Sequence, residues 1–228
     1  MIELEFKHLF LDINLRAEDS FTILGPNGSG KSILLKVITH ELYPQKLVKR
    51  NILGNKLTLN EARKIFGVVN SDLEYFFKNE NITVYDAVIS AFKEALVVYK
   101  FFDFTDYEKE KTEQLCRMFK INASQDVSTL SLGELKKVLI ARALVHDPEI
   151  ICFDEPTNGL DIKARYQFYD LIRELDKKLI LITHNFDEVL KNKKIFMLKN
   201  GRIVKETFEL KKSDLSYLFD IEEEKIRL

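Results

Sequence analysis

The chain has 228 residues and a formal net charge of −1, because 35 lysines and arginines are set against 36 aspartates and glutamates. This balance excludes a global positive field that would attract nucleic acid or an anionic bilayer, so any such partner must bind through a local patch. Hydrophobic residues make up 46% of the chain and charged residues 31%, which excludes a disordered composition and predicts one large globular domain.

The N-terminal residues 1–5 lack the basic start and the continuous apolar segment of a secretory signal. The longest apolar run of the sequence, residues 95–99, is far shorter than the roughly 20 residues that a membrane-spanning helix needs. We therefore expect a cytosolic protein that does not cross a membrane itself.

A glycine-rich loop follows the first predicted buried strand. Residues 20–24 alternate between apolar and polar side chains as a half-buried strand does, and residues 33–42 have the apolar face of a helix. Between them, Gly25, Gly30, Lys31 and Ser32 fit the pattern G-x-x-x-x-G-K-[ST] of a phosphate-binding loop. Strand, glycine loop and helix are the order that this motif requires.

The chemistry of this loop suits a nucleoside triphosphate. Its glycines let backbone N–H groups converge on phosphate oxygens, and the following helix adds its positive N-terminal end. Lys31 supplies a cation to the phosphates and the Ser32 hydroxyl a ligand to Mg²⁺. The predicted nucleotide-binding residues of the loop are Gly25, Pro26, Asn27, Gly28, Ser29, Gly30, Lys31, Ser32 and Ile33.

Short apolar runs later in the chain predict further strands. They lie at residues 65–69, 149–153, 178–183 and 195–198, and helical patterns separate the later ones. This alternation predicts an α/β domain with a largely parallel sheet covered by helices. Asn200 and Gly201 predict a hairpin that leads into residues 202–204.

Residues 81–129 have a different pattern, with helical periods at 84–98 and 107–119 and no convincing strand between them. We interpret residues 72–130 as an inserted helical subdomain, and residues 1–71 and 131–210 as the nucleotide-binding core. Residues 211–228 form a short C-terminal tail in this division. The charges at residues 108–111 indicate a solvated helix face rather than a binding patch.

Two adjacent carboxylates, Asp154 and Glu155, end the predicted strand at residues 149–153. Ligands of parallel α/β sheets bind at the carboxyl ends of strands, and the phosphate loop also follows such an end. Asp154 is therefore predicted to hold Mg²⁺, and Glu155 to polarise the attacking water as a general base. The alternative is an ordinary solvated turn.

Three later motifs carry a family resemblance. Leu130-Ser-Leu-Gly-Glu134 resembles the Leu-Ser-Gly-Gly-Gln signature of the ATP-binding cassette ATPases. Pro156-Thr-Asn-Gly-Leu-Asp161 resembles the D-loop of that family, and His184 after Thr183 resembles its switch histidine. With the phosphate loop, these motifs follow the family order over nearly the whole chain.

The resemblance implies a P-loop NTPase core with a mostly parallel sheet, an N-terminal antiparallel β element and an inserted helical subdomain. It implies ATP and Mg²⁺ as ligands, a contact of His184 with the γ-phosphate, and a nucleotide contact at Asp161. It also implies that Ser131, Gly133 and Glu134 bind the ATP held by a second ATP-binding cassette domain, in a homodimer or a heterodimer. Ser131 and Glu134 fit a helix capping box as well, and both interpretations can hold.

The sequence departs from the family at two places. The family has an aromatic residue near the N-terminus that stacks on adenine, and here Phe6, His8 and Phe10 are candidates, with a plain strand face as the alternative for Phe6. The family glutamine after the strand at residues 65–69 is replaced by Ser71. Either a water bridges from Ser71 to Mg²⁺ or Asp72 supplies the metal ligand, and the alternative is that Asp72 only caps the next helix.

The resemblance implies an ATP-hydrolysing subunit that powers a separate membrane permease, on the cytoplasmic face of the cell membrane, with no nucleic acid as partner. The permease is expected to touch the Ser71 region and the helical subdomain. One alternative is a soluble cassette protein in nucleic-acid repair, translation or iron–sulfur assembly. Another is a module that binds nucleotide without hydrolysing it, against which Glu155 and His184 argue.

Overall fold

The computed structural model of the protein describes residues 1–226, so the predicted C-terminal tail ends in two residues, Arg227 and Leu228, that lie outside the described residues. The strands are β1 (Ile2–His8), β2 (Leu11–Ala17), β3 (Phe21–Leu24), β4 (Lys46–Ile52), β5 (Phe66–Val69), β6 (Ile150–Asp154), β7 (Lys178–Thr183), β8 (Lys194–Lys199) and β9 (Arg202–Thr207). The α-helices are α1 (Lys31–Ile38), α2 (Leu59–Ile65), α3 (Ser71–Lys78), α4 (Val84–Ile89), α5 (Asp106–Met118), α6 (Leu132–Ala143), α7 (Ile162–Arg173) and α8 (Lys212–Phe219). The predicted α/β class is confirmed.

The chain folds into two compact units. The first contains Met1–Arg63, Cys152–Glu155 and the chain from Lys178 onward, and the second contains Lys64–Ile151 and Pro156–Lys177. This division follows compactness, whereas the predicted division into a nucleotide-binding core and a helical subdomain follows function. The predicted division stays a prediction.

An antiparallel sheet in the first unit has the strand order β2-β1-β4. In β1 and β2, buried residues alternate with more exposed ones, as expected for strands with one face on a core. The two strands pair from Ile2 opposite Ala17 to His8 opposite Leu11, and Leu9 adopts a φ of 52° in the tight turn between them. The N-terminal antiparallel element is confirmed.

The larger sheet of the first unit has the strand order β6-β7-β3-β8-β9. β3 pairs in parallel with β7 and β8, and all four of its residues are buried, which is typical of a central strand covered on both faces. β9 runs antiparallel to β8 after a turn in which Asn200 and Gly201 have φ values of 48° and 76°. The predicted hairpin is confirmed.

Helix α8 belongs to the core of the first unit. Leu215, Leu218 and Ile226 are buried in one cluster with Leu24 and Met197. Leu24 ends β3 immediately before the phosphate loop. The segment that the sequence suggested as a short tail therefore supports the strand that positions this loop.

In the second unit, β5 lies beside β6, whose first two residues belong to this unit. Helix α6 packs against β5 and against α3, α4 and α5. Its buried residues Val138, Leu139, Ile140 and Ala141 account for this central position, because they cover more than one side of the helix.

The predicted helix at 84–98 is shorter than expected. Helix α4 ends at Ile89, and a 3₁₀ turn follows until Glu94 adopts a left-handed φ of 53°. The Arg142 guanidinium donates hydrogen bonds to the carbonyl groups of Ala87 and Ala95, both at 2.5 Å. A distant cation therefore binds the Ala87 carbonyl group that would otherwise continue the helix.

Helix α1 also ends earlier than predicted, at Ile38 instead of residue 42. His40 has a φ of 66°, and a residue in this left-handed conformation is a common way to terminate a helix.

Candidate functional site

The phosphate-binding loop joins β3 to α1 in the first unit, and its backbone requires glycine. Gly28 and Gly30 have φ values of 77° and 100°, which other residues adopt with strain. A Cβ atom on Gly25 would lie 2.2 Å from the Leu198 carbonyl oxygen, and one on Gly30 would lie 2.5 Å from Leu11 Cδ2. The chain thus approaches the loop so closely that side chains are excluded.

Lys31 places its ammonium group inside this loop. Its side chain is 5% exposed, and Nζ donates hydrogen bonds to the carbonyl oxygens of Gly25 at 2.9 Å and Pro26 at 3.0 Å. Burial lowers the pKa of Lys31, and the nearby Glu155 carboxylate acts in the opposite direction. A cation is therefore held where the loop folds back on itself.

The loop fits a phosphate group. Helix α1 has no side-chain cap and no acidic residue in its first turn, so no group of its own cap or first turn competes with an anion for its N-terminal end. Within residues 1–226, the Ser29 hydroxyl is buried without a hydrogen-bond partner. Ser32 is exposed at the helix start. A bound phosphate, which has several oxygens, would supply hydrogen-bond acceptors to these hydroxyl and backbone N–H groups.

Glu155 lies at the centre of a charged cluster. Its Oε1 is 3.5 Å from Lys31 Nζ and 3.1 Å from His184 Nδ1. Its backbone has a left-handed φ of 49° and its N–H donates to the Ile182 carbonyl oxygen at 2.8 Å. A non-glycine residue in this conformation is strained, and such strain is typical of functional positions. Three of the predicted catalytic side chains are thus brought together.

A hydrogen-bond network fixes the segment that carries His184. The Thr183 hydroxyl donates to Glu188 Oε2 at 2.7 Å and accepts from the Asn185 backbone N–H at 2.9 Å. Asn185 Nδ2 donates to Glu188 Oε1 at 3.2 Å. Sequence reasoning missed Glu188, which is buried. The sequence feature that could have indicated Glu188 is its place as a polar residue in the same short segment as His184.

Ser32 and Asp154 provide the ligand chemistry that Mg²⁺ prefers, namely hydroxyl and carboxylate oxygens. No group of three or more His, Cys, Asp or Glu side chains within residues 1–226 could hold a metal ion by itself. Mg²⁺ is usually bound by one or two protein groups together with substrate phosphates and waters, and the Ser32 hydroxyl and the Asp154 carboxylate are groups of that kind.

Ser71 and Asp72 lie in the second unit, in the first turn of α3. The predicted capping role of Asp72 is wrong, because the cap is Asn70, whose Oδ1 accepts a hydrogen bond from the Leu73 backbone N–H at 2.9 Å. Their predicted contacts with Mg²⁺ stay predictions.

The signature segment begins α6 in the second unit, and the predicted capping box is confirmed. The Ser131 hydroxyl donates to Glu134 Oε2 at 2.6 Å and accepts from the Glu134 backbone N–H at 3.3 Å. Glu134 Oε2 also accepts from the Ser131 backbone N–H at 2.9 Å. Both hydrogen bonds lower the pKa of Glu134, and the bond from the Ser131 hydroxyl has a larger effect than the bond from the Ser131 backbone N–H.

The D-loop residues lie beside this helix start. Asp161 caps α7 by accepting a hydrogen bond from the Ala164 backbone N–H at 2.7 Å. Gly159 has a φ of 76°, and a Cβ atom there would lie 2.8 Å from Leu132 Cδ2. An open cavity of about 290 Å³ is lined by Ser131, Gly133, Glu134 and Asp161 among others. The predicted signature residues and Asp161 therefore share one surface of the second unit, whereas Ser71 and Asp72 do not line this cavity.

The predicted stacking role of Phe6 is wrong. Its side chain is 0% exposed in β1, so no face of the ring is open to a base. His8 Nδ1 accepts a hydrogen bond from the Gln45 backbone N–H at 3.3 Å. Phe10 is 51% exposed, and its Cε2 would lie 3.4 Å from a Cβ atom on Gly30. Phe10 is thus the candidate that borders the phosphate loop.

Comparison with known proteins decides the family. The sequence model of the family described as ABC transporter matches residues 10–158. The chain belongs to the ABC transporter family.

Two relatives in this family are named as ATP-binding proteins. An uncharacterized ABC transporter ATP-binding protein of Methanocaldococcus jannaschii is 34% identical over 195 residues, which cover 81% of this chain and 73% of that protein. Nod factor export ATP-binding protein I of Neorhizobium galegae is 33% identical over 211 residues, which cover 86% of this chain and 56% of that protein. The alternative of a cassette in repair, translation or iron–sulfur assembly is therefore not favoured.

Solved ABC cassettes have the same fold. The cbiO1 protein from Clostridium perfringens, part of the ABC transporter complex cbiONQ, has a TM-score of 0.71 at 22% identity, over 96% of this chain and 90% of that chain. A dimeric ATP-binding cassette in a post-hydrolysis state, bound to ADP and Pi, has a TM-score of 0.70 at 25% identity, over 91% of this chain and 98% of that chain. None of the helices in residues 1–226 has both the length and the apolar character needed to cross a bilayer.

Proposed function

We propose that this ABC protein binds and hydrolyses ATP and that the energy drives transport through a separate membrane permease. The observation that carries the proposal is the position of the Glu155 carboxylate, within 3.5 Å of Lys31 Nζ and 3.1 Å of His184 Nδ1. The cluster thus places Lys31, a cation that can bind phosphate, beside Glu155, the candidate general base.

Different residues of the first unit have different roles in hydrolysis. The phosphate loop and Lys31 bind the triphosphate, because they supply backbone N–H groups and a buried positive charge. Glu155 accepts the proton of the attacking water, and His184 orients the carboxylate and the terminal phosphate. Mg²⁺, held through Ser32 and Asp154 when bound, neutralises phosphate charge.

We infer that two copies of the chain, or this chain and a related one, complete each site. In this arrangement Ser131, Gly133 and Glu134 of one copy serve the nucleotide held by the other, with Asp161 at the shared surface. The dimeric cassette of similar fold supports the inference. The positive end of the α6 dipole also favours negative charge at this surface, beside the capping box that Ser131 and Glu134 form.

An aromatic cluster in the second unit, exposed at two of its four rings, supports a protein partner. It consists of Tyr99, Phe101, Phe102 and Phe104, with ring centroids 5.0 to 6.0 Å apart between neighbours. Phe101 is 79% exposed and Tyr99 50%. Contiguous exposed aromatic surface marks interaction sites, and in this proposal the permease covers it, at the cytoplasmic face of the membrane. A permease subunit that co-purifies from native membranes would support this partnership.

Glu155→Gln tests the catalytic assignment. The variant keeps the shape of the side chain but cannot accept a proton, so we expect ATP binding to remain and turnover to fall by about 10²-fold or more. Phosphate release and calorimetric ATP binding measure the two effects. Glu110→Gln, at an exposed position of α5, is the matched control and should hydrolyse at the wild-type rate. Wild-type turnover in Glu155→Gln would exclude the role as general base.

A further inference from the structure

Helix α6 carries two buried cations. Lys136 forms an ion pair with Glu74 of α3, and their side chains are only 4% and 19% exposed. Arg142, near the other end of α6, is 9% exposed and donates to the Ser90 hydroxyl at 2.8 Å and to backbone carbonyl groups around it. Two cationic side chains of the helix that begins with the signature segment thus bind neighbouring elements, one near each end of the helix.

A buried ion pair contributes little to stability by itself. Removing two charges from water costs several kcal/mol per ion, which the attraction between them roughly offsets, and well-packed apolar residues in the same place are often equally stable. A partly buried pair such as this one can act instead as a directional constraint, because both charges are satisfied only when its two elements keep their relative placement. The Glu74–Lys136 pair therefore needs a reason other than stability.

The position of the pair suggests that reason. Glu74 lies three residues after Ser71, in the first turn of α3, and Lys136 lies five residues after Ser131, which caps α6. The pair consequently joins the helix start that bears Ser71 and Asp72 to the helix start that bears the signature segment. At the same end, Leu132 lies so near the D-loop that a Cβ atom on Gly159 would be 2.8 Å from its Cδ2.

We propose that Glu74 and Lys136 are a positioning pair that makes the first turn of α3 and the Ser131 end of α6 move as one body. The inference rests on the proposed function, since its consequence is that the signature surface meets the partner's nucleotide only in the orientation that α3 sets. Neither side chain touches the nucleotide in this account. Their effect is on the assembly of the two-copy site, and ATP binding to the phosphate loop of one copy is independent of them.

The double variant Glu74→Leu/Lys136→Met tests the proposal without leaving an unpaired buried charge. Made in the Glu155→Gln background, it is expected to fold with an unchanged or raised melting temperature and to bind ATP with the same affinity. Its ATP-driven dimerisation, followed by sedimentation, should weaken by about fivefold or more, the usual size of a coupling between sites. If the pair had a purely structural role, its loss would not weaken dimerisation while the affinity for ATP stays unchanged.

Two further variants sharpen the result. Glu74→Gln keeps the shape and an acceptor but removes the charge, and should weaken dimerisation by a smaller factor. Glu113→Gln/Arg117→Gln removes an exposed ion pair of α5 and should dimerise like the Glu155→Gln parent. Parent-like dimerisation in both Glu74 variants overturns the proposal. If the Glu155→Gln parent itself binds ATP but stays monomeric, the two-copy site of the proposed function fails instead, and the inference fails with it.

Discussion

Phe10 and Phe6 show how the position of a single residue in a hairpin decides what its ring can do. Phe6 points into the core from β1, whereas Phe10 lies in the turn after β1, next to Gly30. Both rings lie at similar distances along the sequence from the phosphate loop. What separates them is where β1 ends, because Phe6 keeps an inward-facing strand position and Phe10 follows the end of the strand at His8. We therefore propose that Phe10 is the residue that stacks on adenine.

Phe10→Ala should raise the dissociation constant for ATP about tenfold, because stacking of a base on an aromatic ring contributes about 1–3 kcal/mol. Calorimetry measures the change, and inorganic triphosphate binding should stay the same, since it has no base. Leu9→Ala, at the exposed neighbouring position, is the control. Equal ATP affinities in the Phe10 and Leu9 variants would exclude the stacking role.

Asp72→Ala tests what replaces the missing glutamine. If the Asp72 carboxylate is a metal ligand, the variant should need more Mg²⁺ for half-maximal hydrolysis and have a lower kcat, because a hard oxygen ligand is lost. Ser71→Ala should change neither. A Mg²⁺ titration of both variants decides between them: wild-type Mg²⁺ dependence in Asp72→Ala leaves the water bridge from Ser71.

The site residues that could be predicted from the sequence are those whose role depends on their immediate neighbours in the chain. The glycines of the phosphate loop were predictable, because their spacing follows from how a backbone wraps a phosphate. The support of Thr183 by Glu188 was not, because a glutamate five residues away in an irregular segment has no periodic signal. The left-handed backbone of Glu155 was equally hidden, since glutamate rarely adopts it.

At the scale of elements, α8 carries a stability prediction. Leu218 is 0% exposed in the cluster that includes Leu24, directly before the phosphate loop. Leu218→Ala should lower the free energy of unfolding by about 2–5 kcal/mol, the usual loss for a buried leucine. Urea denaturation measures it, with the exposed Ser213→Ala as control. A loss no larger than that of the control would contradict the assignment of α8 to the core.

Element boundaries were predictable where local sequence sets them. The strand at Lys178–Thr183 and the hairpin at Asn200 and Gly201 follow from an apolar run and a turn dipeptide. Helix α4 was predicted too long because its end depends on Arg142, which lies 55 residues beyond Ala87 in the chain. A tertiary contact of that range leaves no trace in local periodicity.

Hydrolysis in the whole molecule depends, in this proposal, on two copies that share each site. Lys31, Glu155 and His184 lie together in the first unit, and the signature and D-loop residues share a surface of the second. The sequence alone predicted both sets through their motifs. It could not show how two chains combine them, because pairing between copies depends on complementary surfaces rather than on any single segment.

Mixing two inactive variants shows whether two copies share each site. Lys31→Ala lacks the cation of the phosphate loop, and Ser131→Arg blocks the signature surface, so neither protein alone should hydrolyse ATP. In an equal mixture, about half of the pairs contain one of each, and one site in each such pair has both halves intact. The account predicts recovery of about a quarter of the wild-type rate of phosphate release, provided both variants melt like the wild type. A mixture that stays as inactive as its components, or a Ser131→Arg protein that hydrolyses ATP at the wild-type rate by itself, would contradict it.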